Sequence, residues 1–154
     1  MIQFLEQNLL DAKVDVIIQS NNCCCKQGRG IALSISEKYG EVYNADFNTI
    51  SGDKTKLGKI LPVRLHQKNQ PYYCFLNFNQ FNYGLEKRQV DYEAFYTCLE
   101  KSRDKCLSLG LESIGMPFGM SCNNAGGDWE IILAMVRKIF SDSKVNLFIC
   151  KYSS

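Results

Sequence analysis

Residues 113–130 constrain the fold of this chain more than any other stretch. They read S-I-G-M-P-F-G-M-S-C-N-N-A-G-G-D-W-E, an apolar run followed by glycines and an acidic residue. This order predicts a buried strand over 113–118, a glycine-bearing loop, and a helix that begins after Asp128. Such loops hold phosphates, because the N–H groups at a helix start are free to donate. An ordinary strand-to-helix turn with an Asp cap fits the same residues, so both interpretations stay open.

A second strand-to-helix connection has the same character. The apolar run 14–20 predicts a central strand covered on both faces, and the polar loop 21–30 leads into a helix over 31–39. In a parallel sheet, ligands bind beyond the carboxyl ends of the strands. The loops 21–30 and 119–127 are therefore expected to open on the same rim, which favours a phosphate-bearing ligand.

The rest of the chain continues the alternation of strands and helices. We predict strands at 1–6, 59–66, 72–78 and 145–150, helices at 92–109 and 129–140, a hairpin loop at 68–71, and a further helical turn within 41–50. This alternation predicts an α/β sandwich with a largely parallel sheet, to which the hairpin adds an antiparallel pair.

The composition limits the classes of function. The chain has 154 residues, 45% hydrophobic and 22% charged, which is typical of one globular domain and predicts a single domain over 1–154. No apolar run approaches a membrane span, and the first residues do not resemble a signal peptide. A net charge of +2 is too small to indicate nucleic-acid binding driven by overall charge.

The eight cysteines do not form a metal or disulfide pattern. No C-x-x-C pair occurs, and the single histidine, His66, has no partner at metal-ligand spacing. We therefore expect no metal and no cofactor. Free thiols in a reducing cytoplasm are the expected state, which predicts a cytoplasmic protein.

Four segments together resemble the macro domain family. They are N-N-C followed by K-Q-G-R-G-I-A-L, N-F-N-Q-F-N-Y-G, D-Y-E-A-F, and M-P-F-G-M-S-C-N-N-A-G-G-D-W-E, in the family's order and spacing. The chain is most similar to the small stand-alone branch related to ADP-ribose 1″-phosphate phosphatases and terminal ADP-ribose protein glycohydrolases. The resemblance extends over nearly the whole chain. It implies a three-layer α/β/α sandwich with a mixed, mostly parallel central sheet.

The resemblance also implies a cleft for ADP-ribose or a derivative. Asn8 stands where the family usually has an Asp that binds the adenine amino group, and Asn22 matches the Asn that faces the distal ribose. Asp128 matches an acidic residue implicated in catalysis. The other residues that match the binding loops are Leu9, Gly28, Gly30, Ile31, Ala32, Gln80, Tyr83, Gly84, Phe118, Gly119, Ser121, Cys122, Asn123, Asn124, Ala125, Gly126 and Gly127.

Besides Asn8, the chain departs from the family at five positions that bear on the chemistry. Related proteins read G-C-G-L-A-G-G-D-W in the second loop, where this chain has Ser121 and Asn123 in place of glycines, and Cys25 replaces a common glycine in the first loop. Asn tolerates φ > 0, so Asn123 is expected to keep the backbone path, whereas Ser121 fits it less well. Leu76 stands where phosphatase-like relatives often have Asn. Asn77 aligns with the glycohydrolase lysine, which argues against a lysine adduct.

These observations predict a protein that binds ADP-ribose or a derivative and hydrolyses it at the distal ribose. The leading reaction is removal of phosphate from ADP-ribose 1″-phosphate, with Asp128 activating water and Asn22 holding the ribose. Release of ADP-ribose from a modified protein or nucleic acid is one alternative. Non-catalytic binding of an ADP-ribose-like signal nucleotide is another. Asp128 could equally serve only as a helix N-cap. Cys122 could equally be a small residue that lines the loop without taking part in the chemistry.

Overall fold

The computed structural model describes residues 1–27, 30–84, 87–123 and 125–152. In these ranges the strands are β1 (Ile2–Leu5), β2 (Val16–Asn22), β3 (Ile60–Arg64), β4 (Tyr73–Gln80), β5 (Ser113–Pro117) and β6 (Asn146–Cys150). The α-helices are α1 (Gly30–Lys38), α2 (Gly40–Phe47), α3 (Tyr92–Ser108) and α4 (Trp129–Phe140), and short 3-10 turns lie at Leu9–Asp11 and Lys54–Lys56. No helix in the described ranges is long and apolar enough to cross a bilayer.

The six strands form one mixed sheet in the order β1-β6-β5-β2-β4-β3. Every neighbouring pair is parallel except β3 and β4, which are antiparallel and joined by the predicted hairpin. The apolar strand β2 lies between β5 and β4. The mostly parallel sheet and the central place of β2 are therefore confirmed.

The side chains of β2 alternate between two hydrophobic cores, one on each face of the sheet. Val16 and Ile18 belong to the core that is completed by α3 and α4. Ile17 belongs to the core on the other face, which α1 and α2 complete. A strand with both faces buried needs apolar residues in succession, which explains the run from Val16 to Ile18. The helices on both faces confirm the three-layer α/β/α sandwich.

Several boundaries differ from the sequence prediction by one or two residues, and the end of β2 and the extent of α2 are the clearest cases. Strand β2 ends at Asn22 rather than at residue 20, because its parallel pairing with β4 continues to the pair Asn22 and Gln80. The helical turn predicted within 41–50 is a two-turn helix, α2, which begins directly after the break at Tyr39. The longer β2 matters for the site, because it places Asn22 at the carboxyl end of the sheet.

Candidate functional site

A cleft of about 450 Å³ opens at the carboxyl ends of β2, β4 and β5. About half of its lining comes from the loop after β2 and the loop after β5, so the two predicted loops share one rim. The lining residues are Ser20, Asn22, Lys26, Gln27, Gly30, Ile31, Ala32, Gln80, Tyr83, Gly84, Pro117, Phe118, Gly119, Met120, Ser121, Asn123 and Ala125.

A second cavity of about 300 Å³ adjoins the first and shares four residues with it, Ile31, Pro117, Phe118 and Asn123. Its other lining residues are Asn8, Leu9, Cys150, Lys151 and Tyr152. The Asn8 side chain also accepts a hydrogen bond from the Leu10 backbone N–H at 3.0 Å, which closes the turn after β1. The two cavities together form an elongated, two-part cleft.

Phe118 stands where the two cavities meet. Its ring packs against Trp129 with the ring centroids 4.8 Å apart, and Lys151 Nζ lies 4.8 Å from the Phe118 centroid. The side chain is 37% exposed, so part of the ring remains accessible from the cleft. An aromatic face held by packing on its other side is suited to stacking against a sugar or a base.

The Asn22 side chain shapes the first loop. Its Oδ1 accepts hydrogen bonds from the backbone N–H groups of Cys24 at 2.9 Å and Lys26 at 3.3 Å. Its Nδ2 donates to the Lys26 carbonyl at 2.8 Å. Asn22 is therefore both a lining residue and the residue that folds the loop back over the end of β2.

A buried polar cluster supports this loop from below. Gln27 donates from Nε2 to Asp46 Oδ2 at 2.7 Å, and its Oε1 accepts from Gln19 Nε2 at 3.4 Å. Asp46 is 1% exposed, and burial raises the pKa of its carboxyl group, although Gln27 and the Lys56 ammonium oppose that shift. Lys56 is also buried and donates from Nζ to Thr49 Oγ1 at 2.9 Å.

Two residues with side chains occupy left-handed backbone positions in the binding loops. Cys25 has φ 58° and Ser121 has φ 65°, and they are the only non-glycine residues with positive φ in the described part of the chain. The prediction that Asn123 takes this conformation is therefore wrong. Cys25 is held by contacts of its Sγ with the Asp46 carbonyl and Thr49 Oγ1, both at 3.3 Å. Ser121 is held by a hydrogen bond between its hydroxyl and that of Ser20.

Asp128 acts as the N-cap of α4 in this structure. Its Oδ1 accepts a hydrogen bond from the Glu130 N–H at 2.9 Å, and its own N–H donates to the Tyr92 hydroxyl at 2.9 Å. Its side chain is exposed. Within the described ranges, neither Asp128 nor any other aspartate or glutamate lines either cavity.

Three further predicted residues, Cys122, Gly126 and Gly127, lie outside the lining of both cavities. Burial, with a smaller contribution from the Asp128 charge, raises the pKa of the Cys122 thiol to about 11. This thiol is protonated near neutral pH and is a poor nucleophile. The predicted residues Gly28 and Asn124 lie outside the described residues.

Five residues of the main cavity lie outside the predicted set: Ser20, Lys26, Gln27, Pro117 and Met120. The period of two along a strand places Ser20 on the same face as Asn22, so the prediction for Asn22 could have found it. Nothing in the sequence marks Gln27, because its orientation depends on Asp46 beneath the loop. Among the described side chains, no group of three His, Cys, Asp or Glu residues comes together as a metal site.

The macro domain model of protein families matches residues 18–136. This chain belongs to the macro domain family. The match includes both binding loops and the strands that carry them, so the resemblance inferred from the four segments is confirmed. The fold agrees with this assignment, because macrodomain structures align with the chain over nearly its whole length.

Curated relatives and solved macrodomains are similar to this chain at low identity. A DNA ADP-ribosyl glycohydrolase from Thermus aquaticus is 23% identical over 141 residues, 90% of this chain and 37% of that protein. An uncharacterized 17.5 kDa protein of phage T4 is 27% identical over 118 residues, 72% of this chain and 70% of its own length. The chain thus spans little more than a third of the glycohydrolases that it matches.

Two solved structures illustrate the likeness of fold. The macrodomain of Mycobacterium tuberculosis DarG superposes with a TM-score of 0.83 at 20% identity, covering 100% of this chain and 99% of that one. A Trypanosoma brucei macrodomain, solved in complex with ADP-ribose, superposes with a TM-score of 0.71 at 18% identity, covering 97% and 63%.

Proposed function

We propose that this macro domain binds ADP-ribose or a close derivative in the two-part cleft. The adenosine end would lie in the smaller cavity beside Asn8, and the diphosphate and distal ribose between the two loops. The observation that carries this proposal is the convergence of both loops on one cavity whose charged lining residue is Lys26. A cavity lined by a cation and by the first residues of α1, with no described carboxylate, favours an anion that accepts hydrogen bonds.

Phe118 gives this proposal a direct test. If its exposed ring face stacks against the ligand, Phe118→Ala should weaken ADP-ribose binding about tenfold, because stacking of this kind is worth roughly 1–3 kcal/mol. Isothermal titration calorimetry measures the change. Tyr43→Ala is the matched control, since Tyr43 is an exposed aromatic residue on α2 outside both cavities, and it should leave the affinity unchanged. Absence of binding by the wild type at millimolar ADP-ribose would refute the proposal.

Hydrolysis at the distal ribose is the second candidate function. It is favoured by the curated relatives, which are named DNA ADP-ribosyl glycohydrolases. Two reactions fit the cleft: removal of phosphate from ADP-ribose 1″-phosphate, and release of ADP-ribose from a modified nucleic acid or protein. In both, we propose Asp128 as the base that orients or deprotonates water. Binding without hydrolysis is the remaining alternative, and it is consistent with the capping position of Asp128.

Asp128→Asn separates the catalytic role of this residue from its capping role. Asn is as good a helix cap as Asp, so the melting temperature should stay nearly constant, whereas loss of the general base should slow hydrolysis at least about 100-fold. The assays are phosphate release from ADP-ribose 1″-phosphate and ADP-ribose release from ADP-ribosylated DNA. Full turnover by Asp128→Asn would contradict the assignment of Asp128. If the wild type hydrolyses neither substrate, hydrolysis is refuted and binding without hydrolysis is the remaining function.

A further inference from the structure

A chain of three polar side chains crosses the floor of the cleft. Asn79, on β4 and 0% exposed, donates from Nδ2 to Ser20 Oγ at 3.0 Å. Ser20, on β2, is hydrogen-bonded through its hydroxyl to the hydroxyl of Ser121, in the loop after β5. Both serines line the main cavity. This series of hydrogen bonds therefore runs from the buried sheet to the cleft. It ends at Ser121, in the loop that is expected to hold phosphate.

The direction of these hydrogen bonds decides what Ser121 presents to a ligand. The Asn79 amide group donates to Ser20, so one lone pair of Ser20 is already occupied. If the Ser20 proton is donated to Ser121, the Ser121 proton is free to point into the cavity. Donation along one direction also strengthens each bond in turn. Phosphoryl oxygens accept hydrogen bonds and do not donate them, so a phosphate beside Ser121 favours this arrangement.

We propose that the Ser121 hydroxyl donates a hydrogen bond to a phosphoryl oxygen of the ligand. Ser20 and Asn79 act as positioning residues that aim this hydroxyl. The inference rests on the proposed binding of an ADP-ribose derivative and adds a side-chain donor to it. A left-handed backbone at φ 65° disfavours any residue with a Cβ atom, so serine is locally less stable than glycine at this position. A hydroxyl that contacts the ligand gives the side chain a role that glycine could not fill.

Two substitutions at Ser121 separate binding from stability. Both substitutions remove the hydroxyl. Ser121→Ala keeps a Cβ atom in the disfavoured left-handed conformation, whereas Ser121→Gly removes the Cβ atom and with it this conformational strain. Both should weaken ADP-ribose binding about 10- to 100-fold, the range for a hydrogen bond to a charged group. The Ser121→Gly variant should nevertheless melt about 2–4 °C above the Ser121→Ala variant. Ser108→Ala is the control, because its hydroxyl contacts only the Lys105 carbonyl on α3 and its loss should not change binding.

A double-mutant cycle tests the positioning role of Ser20. Ser20→Ala alone should weaken binding about threefold to tenfold, because Ser121 keeps its hydroxyl but loses the partner that aims it. In the Ser121→Ala background the same change should cost no further affinity. A purely structural role for Ser20 would reduce affinity equally in both backgrounds and would overturn its assignment as a positioning residue.

The titrations use ADP-ribose and inorganic pyrophosphate as separate probes. Wild-type affinity retained by Ser121→Ala or Ser121→Gly would overturn the hydroxyl donor while leaving ADP-ribose binding intact. Binding of pyrophosphate that depends on Ser121, without binding of ADP-ribose, would support the donor and refute the proposed ligand. Failure of the wild type to bind either probe would overturn both proposals.

Discussion

Gly127→Ala is expected to lower the free energy of unfolding by about 3 kcal/mol, the upper range for forcing extra atoms into a packed interior. A Cβ atom at this position would lie 2.7 Å from the Ser121 carbonyl oxygen, 2.9 Å from Ile132 Cδ1 and 3.1 Å from Val90 Cγ1. The first contact is with backbone, which cannot move aside as a flexible side chain would. The Gly127 N–H also donates to the same Ser121 carbonyl at 2.8 Å, so the loop has no room to open without losing that bond.

Equilibrium urea denaturation measures this loss. Gly40→Ala is the matched control, because a Cβ at Gly40 meets no heavy atom within 4 Å. At the start of α2, alanine should leave the stability unchanged or raise it by up to about 1 kcal/mol. Gly127→Ala should also weaken ADP-ribose binding, since the displaced segment contains Ser121. If Gly127→Ala proves as stable as the wild type, the close packing of this loop against the start of α4 is refuted.

Lys56→Met is expected to destabilise the protein by about 2–3 kcal/mol near neutral pH, because it removes the cation from a buried polar cluster. Lys56 is 8% exposed, donates to Thr49 Oγ1 at 2.9 Å, and favours the charged form of the buried Asp46 carboxylate. Methionine keeps the packing of the aliphatic stem and removes the charge. An ionised Asp46 would then be buried without a nearby cation and with the Gln27 amide as a hydrogen-bond donor.

The pH dependence of the stability lost in Lys56→Met tests whether Asp46 causes that loss. Burial already raises the pKa of Asp46 above its ordinary value, so the folded state favours the protonated form. The stability contributed by that proton is present below the ordinary pKa and is lost as the pH rises through the folded-state value. Removing Lys56 raises the Asp46 pKa further. The cost of Lys56→Met should therefore be larger near pH 7 than below about pH 3, where Asp46 is largely protonated in both the folded and the unfolded protein.

Asp46→Asn provides the control for this interpretation. Asparagine mimics the protonated carboxyl group, so Lys56→Met should cost less in the Asp46→Asn background, with a coupling free energy of about 1–3 kcal/mol. Urea denaturation of the four proteins at both pH values gives the complete cycle. An equal cost of Lys56→Met at both pH values, or in both backgrounds, would show that its effect comes from lost packing instead.

The order of elements could be predicted because each one has a local signature. The long apolar run identified β2 as a central strand, and Asp128 marked the start of α4 at Trp129, where the structure begins it. The loop 68–71 between two strand patterns gave the antiparallel pair of β3 and β4. The end of β2 was predicted two residues early because Asn21 and Asn22 have turn-like composition. Pairing with β4 overrides that local preference.

The backbone of the second loop shows where local preference fails. Asparagine tolerates a left-handed conformation better than serine, so Asn123 was the better prediction from propensity. The structure instead has Ser121 in that conformation, where its hydroxyl meets that of Ser20, 101 residues earlier in the chain. A hydrogen bond between such distant residues leaves no pattern in either local sequence.

The layers of the fold, the family, and the meeting of two glycine-bearing loops at one rim could all be inferred before the structure was known. This was possible from the sequence because periodicity sets each element, and parallel strands must place their following loops at the same edge. Which side chains line the cleft and which support it became clear from the three-dimensional arrangement of the elements. Asp128 caps α4, Gln27 is held by the buried Asp46, and Ser121 ends a hydrogen-bonded chain from Asn79. These roles depend on strand register and on packing between distant segments, and neither can be predicted from local sequence patterns.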